Sequence, residues 1–137
     1  AFFESAEVFG HYYGTSLNQL ESRLAEGADV ILEINWQGAQ QVKQLLPDSA
    51  WVFILPPSIE ALKTRLQNRA QDNADTIEVR MRAARDEMPH WHEADYLIIN
   101  DNFDSALEEL RALVRSLRLR TDQQQSALHD FIDDLLL

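Results

Sequence analysis

Trp51-Val52-Phe53-Ile54-Leu55-Pro56-Pro57-Ser58, residues 51–58, reads as a strand run into a stop and then a helix start. The first five residues are apolar, β-branched or aromatic, which suits a buried strand. Two prolines cannot donate to a strand ladder and so close it. Ser58 then offers a hydroxyl to the unpaired N–H groups of a helix whose core face is Ile59, Leu62 and Leu66.

The same alternation extends in both directions. Upstream, Asp29-Val30-Ile31-Leu32-Glu33-Ile34-Asn35 reads as a second buried strand with its polar residues at the C-terminal end. A helix from Gly38 to Leu46 follows and is stopped by Pro47. Downstream, residues 70–76 lack a periodic apolar face and read as a mobile loop. A helix resumes near Asp75 or Thr76, with Glu78 as capping partner and Ile77, Met81, Ala84 and Met88 facing inward, until Pro89 ends or kinks it. Tyr96-Leu97-Ile98-Ile99 gives a third buried strand, ending in Asn100-Asp101-Asn102. Ala106, Leu107, Leu110, Leu113, Val114 and Leu117 mark a long amphipathic helix, and Leu128, Phe131, Ile132, Leu135 and Leu136 share a face of a last one. Strands alternating with helices imply an α/β fold with a parallel sheet and helices on both faces. Ligands of such sheets bind beyond the carboxyl ends of the strands, where Glu33, Asn35, Asn100 and Asp101 fall.

Ahead of these units, Gly10 and Gly14 bracket Tyr12-Tyr13, which suggests a short strand or loop with tight backbone positions. Ser16 reads as an N-cap with Gln19 completing a capping box, Leu17, Leu20 and Leu24 give the apolar stripe, and Gly27 stands where a C-terminal cap belongs. The opening Ala1-Phe2-Phe3-Glu4-Ser5 lacks the pattern of a secretory signal and reads as the interior of a longer protein.

Composition narrows the function. A chain of 137 residues, 45% hydrophobic and 26% charged, can build one ordinary domain core. No apolar run approaches the ~20 residues that span a membrane. With no cysteine there is no disulfide framework or thiol chemistry, which fits a reducing, cytoplasmic setting. A net charge of −11 argues against nonspecific nucleic-acid binding. Against that acidic background, Lys63, Arg65, Arg69, Arg80, Arg82 and Arg85 put six of the 12 cations into one window of 23 residues. Arginine suits phosphate because its planar fork donates paired hydrogen bonds and keeps its charge. The competing reading is a solvated helix face with Glu78, Asp86 and Glu87 as partners. His90-Trp91-His92 reads as exposed helix-end residues rather than a metal site, because histidines at i, i+2 face different ways. The last helix face reads as core or dimer surface rather than a membrane anchor, and a homo-oligomer is among the assemblies it allows.

The segments GHYYGT, VILEINWQGAQQV, FILPPS, RLQNRAQD, IEVRM and DYLIINDNFDSAL, in this order and spacing, resemble guanylate kinase, the bacterial forms most closely, from about residue 2 to about residue 120. The resemblance implies a P-loop kinase-like fold that transfers the terminal phosphate of ATP to GMP with magnesium (Mg2+). It implies that residues 1–26 are part of the GMP-binding segment, 27–69 core, 70–77 a lid over ATP, and 78–137 core and C-terminal helices. Glu4 matches the carboxylate that reads guanine, accepting from the ring N–H and the exocyclic amino group, a pair adenine does not offer on that edge. Thr15 matches a base-contacting hydroxyl, and Tyr12 and Tyr13 match tyrosines on the GMP phosphate. Asn35 falls on the GMP side where the family usually has Asp, so it contributes no charge there. Glu33 matches the acidic residue that orients the magnesium water shell. Arg65, Arg69 and Arg80 match the catalytic arginines that clamp the transferring phosphate, Arg65 and Arg69 also being on the ATP side. Asn100 matches a position near the adenine.

Two further departures matter. Ala70 replaces a usual Gly beside Arg69, and no Gly-x-x-x-x-Gly-Lys-Ser/Thr loop occurs in these residues. The resemblance places the P-loop strand between 29–35 and 51–55. The expectation is therefore that the chain is the C-terminal part of a longer enzyme and is inactive alone. The alternative is a noncatalytic guanylate-kinase-like module that binds protein ligands. Such modules tend to lose the ATP-side arginines, which are present here.

Overall fold

Proline and the cap residues set the frame in the computed structural model, which describes residues 2–8, 11–16, 22–27, 29–69 and 74–137. The chain forms two compact units, Ala1–Leu97 and Ile98–Leu137.

The first unit opens with β1 (Phe2–Val8) and β2 (His11–Ser16), an antiparallel hairpin. The sequence reading had a strand or loop here and missed the pairing. Ser16 is the last residue of β2, and the expected helix positions Leu17, Gln19 and Leu20 lie outside the described residues. Residues 22–25 are helical, and Gly27 takes φ +83, the left-handed conformation that suits a glycine after a helix end.

Residues 29–35 do not form the expected strand and belong to neither sheet. Their exposure nevertheless alternates as a strand's would, with Ile31 at 72% exposed while Val30, Leu32 and Ile34 pack against Val42. Apolar alternation alone cannot make a strand; that needs a neighbouring backbone to bond with. Val42 lies on α1 (Trp36–Leu45), which begins two residues before the expected Gly38.

β3 (Val52–Leu55) forms a two-stranded sheet with β4 (Tyr96–Ile99). The Trp51 carbonyl accepts from the N–H groups of Asp95 and Tyr96, so the two strands meet at their starts and run parallel. Between them come α2 (Ile59–Arg69), α3 (Ala74–Glu87) and a 3-10 helix (Met88–Glu93). The Ser58 hydroxyl accepts from the Ala61 N–H at 3.0 Å, as its position required. Among the described residues Met81 is the most buried of the core, at 3% exposed, with Ile77, Ala84 and Met88 half-buried on the same stripe. Pro89 at the start of the 3-10 helix ends the α-helix where expected. Residues 74–76 are helical rather than loop. Ile59 is exposed and takes no part in the core.

The second unit holds the end of β4, α4 (Phe103–Arg118) and α5 (Thr121–Leu135). Only Ile98 of β4 is buried, so the expected fully buried strand is corrected to one with exposed Tyr96, Leu97 and Ile99. Asn102 caps α4 by accepting from the Ser105 N–H at 3.1 Å. The predicted α4 stripe is half-buried at every position, whereas Leu128, Phe131, Ile132 and Leu135 of α5 are exposed. No helix among the described residues is long and apolar enough to cross a membrane.

Candidate functional site

The hairpin brings Glu4 opposite Thr15 in its ladder, Ala6 opposite Tyr13 and Glu7 opposite Tyr12. Strand alternation therefore puts positions 4, 13 and 15 on one face of the hairpin and position 12 on the other. Two of the expected guanine contacts are register partners, a relation that sequence spacing did not reveal. β1 also contacts α1, whose entry is formed by Asn35.

Asn35 is buried and caps α1: its Oδ1 accepts from the Gly38 N–H at 2.9 Å, while Nδ2 donates to Gln37 Oε1 at 3.1 Å. Such a cap is worth about 1 kcal/mol. A neutral amide is thus well suited to this position. Glu33, two residues earlier, is exposed.

Arg65 and Arg69 are spaced i, i+4 on α2, and Arg80 lies on α3, which packs against α2. Arg65 is exposed and Arg80 half-buried. Ala70 lies outside the described residues, as do the first four residues of the expected lid. Asn100 follows β4 in the second unit and is half-buried.

One cluster was not foreseen. Trp36, Gln40 and Lys43 recur at i, i+4 and i+7, one polar stripe of α1. Each meets the segment from Glu87 to Asp95. The Trp36 ring stacks on His90 with centroids 3.7 Å apart and planes 10° off parallel. The Trp36 backbone N–H donates to Glu87, Gln40 Nε2 donates to Glu93 Oε1 at 2.5 Å, and Lys43 Nζ reaches Asp95 Oδ2 at 2.8 Å. His90 Nδ1 bonds Glu93, and since an ionised carboxylate only accepts, that nitrogen carries the proton. His90 is therefore half-buried and engaged, which corrects the reading of it as an exposed helix end; Trp91 and His92 are exposed. The sequence signal was the Trp-x-x-x-Gln-x-x-Lys spacing, which pattern reading by hydrophobicity passes over.

The carboxylates of this cluster titrate differently. Burial pushes Glu87 above its ordinary value, only partly countered by the Trp36 N–H and His90. Hydrogen bonds from His90 and Gln40 hold Glu93 below its own. Burial pushes Asp95 up, but the Lys43 ammonium and the Trp51 N–H (2.8 Å) outweigh it and leave the group below its ordinary value. A depressed carboxylate stabilises the fold above its unfolded value and loses that contribution as pH falls through the folded one. Asp95→Asn is expected to cost about 1 kcal/mol at pH 7, a small figure because the pair is partly exposed. The difference from the unsubstituted protein should shrink as pH drops below the unfolded value and vanish only below the folded one. Urea unfolding at pH 7 and in acid measures both.

On α5, His129, Asp130 and Asp133 offer ligand atoms within 4.8 Å of one another, all exposed. An i, i+4 contact from His129 to Asp133 at 3.2 Å accounts for the arrangement.

Comparison with known proteins gives a consistent answer. A sequence model of the family described as guanylate kinase matches residues 1–117. A guanylate kinase of Methylobacillus flagellatus is 57% identical over 135 residues, covering 98% of this chain and 67% of that protein. One from Shewanella oneidensis is 54% identical over 136 residues, 99% of this chain and 66% of its own length. The crystal structure of guanylate kinase from Anaplasma phagocytophilum superposes with a TM-score of 0.72 at 27% identity, covering 91% of this chain and 64% of that one. The chain thus spans about two thirds of the length of the relatives it matches.

Proposed function

The chain belongs to the guanylate kinase family, and from that premise we propose that its residues carry the GMP-reading and phosphate-clamping parts of an enzyme converting GMP and ATP to GDP and ADP. An oxygen of the GMP phosphate bonds to the terminal phosphorus of ATP as the bond from that phosphorus to its bridging oxygen breaks. The observation that carries the reading is the hairpin register, in which Glu4 faces Thr15 across the ladder with Tyr13 two positions from Thr15. In this account residues 1–26 hold GMP, 27–69 and 78–137 supply core and C-terminal helices, and 70–77 act as a lid.

Glu4 and Thr15 select guanine, and Tyr13, with Tyr12, holds the GMP phosphate. Arg65, Arg69 and Arg80 stabilise charge spread over the moving phosphoryl group, so the chemistry is positioning plus electrostatics. Arg65 and Arg69 also meet ATP phosphates, and Asn100 lies on its adenine side. The exposed Glu33 fits a role through water toward a divalent cation, and Asn35 shapes the GMP side as the α1 cap. Glu33 would help hold a Mg2+ ion through water, and such an ion would supply positive charge that offsets the charge developing on the phosphates. We place the protein in the cytoplasm, with GMP and ATP as its small-molecule partners and neither nucleic acid nor membrane among them.

No Gly-x-x-x-x-Gly-Lys-Ser/Thr loop occurs in the 137 residues, so they are expected to need one for turnover. The test is ADP release from ATP with GMP or AMP as acceptor. It is run on the 137-residue chain and on a protein in which a P-loop segment precedes it. GMP-dependent turnover from the second alone supports the reading, and turnover with AMP at the same rate contradicts it.

A further inference from the structure

The polar stripe of α1 holds one end of the helix that carries Arg80. Trp36 is the first residue of α1, so its N–H is among the donors a helix leaves unpaired at its start. That donor is taken by Glu87, the last residue of α3. A carboxylate is unfavourable at the C-terminal end of its own helix and favourable at the N-terminal end of another. The contact between helices therefore explains why Glu87 sits here. Three residues on, His90 lies flat on the Trp36 indole, and Glu93 fixes the imidazole from the side while Gln40 fixes Glu93.

Arg80 precedes Glu87 by seven residues, about 10 Å along a helix rising 1.5 Å per residue. Two helical turns are stiff over that distance, so the pose of the anchored end sets where Arg80 is presented. Trp36 directly follows Asn35 in the chain.

We propose that the Trp36–His90 stack, with Glu87 and Glu93, is a positioning clasp that fixes the reach of Arg80 relative to the Glu33–Asn35 end of the site. Trp36 and His90 are positioning residues and touch no substrate. The proposal rests on the kinase reading above.

The test uses a protein in which a P-loop precedes these residues. Trp36→Ala is expected to lower kcat about tenfold and to change KM for GMP by less than about twofold, because the interaction it disturbs acts on the transition state. Trp36→Phe, which keeps a flat ring, is expected to recover most of that loss. In an Arg80→Ala background, Trp36→Ala should add less than about twofold, since residues acting through one another are not additive. If Trp36→Ala does not fold, His90→Gln takes its place, because it can keep a bond to Glu93 but cannot stack. Equal losses in both backgrounds, or a rise in KM at unchanged kcat, overturn the clasp. Absence of GMP-dependent turnover from the unsubstituted protein sinks the kinase reading instead; a clasp variant matching an active parent sinks the clasp alone.

Discussion

Arg80→Ala is expected to lower kcat for GMP phosphorylation by about a thousandfold, with KM for GMP moving less than about threefold, in a protein that joins a P-loop to these residues. Charge builds on the equatorial oxygens of the transferring group only as the reaction proceeds. A guanidinium aimed at those oxygens therefore lowers the barrier without tightening GMP binding. Arg80 is half-buried on α3, where desolvation makes its field count for more than that of the exposed Arg65. Arg65→Ala is accordingly expected to be the smaller loss. Lysine at position 80 should restore only part of the rate, because it brings the charge without the fork. Steady-state kinetics of the three variants check the order.

Glu4→Gln is expected to raise KM for GMP about a hundredfold and to erase most of the preference for GMP over AMP. The substitution keeps size and shape. It replaces one acceptor oxygen with an NH2 that would meet a guanine donor head-on, so one pair is lost and two donors face each other. Thr15 is the ladder partner of Glu4, and Thr15→Val should produce a smaller loss of the same kind. A Glu4→Gln protein that binds GMP as before would remove guanine recognition from the hairpin altogether.

Much of the fold was legible because it is local. Ser58 and Asn102 cap the helices they precede, Met81 lies at the centre of its predicted stripe, and the α4 positions recur as the heptad-like spacing demanded. What stayed illegible depends on partners distant in sequence. Residues 29–35 have a strand's composition and alternation, yet the ladder that defines a strand must come from another segment. The β1–β2 hairpin is fixed by register, which glycine placement hints at but does not number. The α5 face has a core-like pattern, yet the same spacing also describes an exposed surface.

The site divides in the same way. Motif order was enough to assign the chain to its family, and the matched residues 1–117 agree with the span read from the motifs. The assignment could not reveal that Asn35 spends its oxygen on the Gly38 N–H, or that His90 lies on Trp36. Both follow from where α1 begins. The apolar pattern alone places the helix start at Gly38, which leaves Asn35 and Trp36 outside it.

Calorimetric titration of the 137-residue chain with GMP and with AMP tests guanine recognition by this hairpin most directly. The account predicts that GMP binds at least about a hundredfold more tightly than AMP, and that Glu4→Gln removes the difference. Equal affinity for the two nucleotides, or a preference that survives Glu4→Gln, would contradict it.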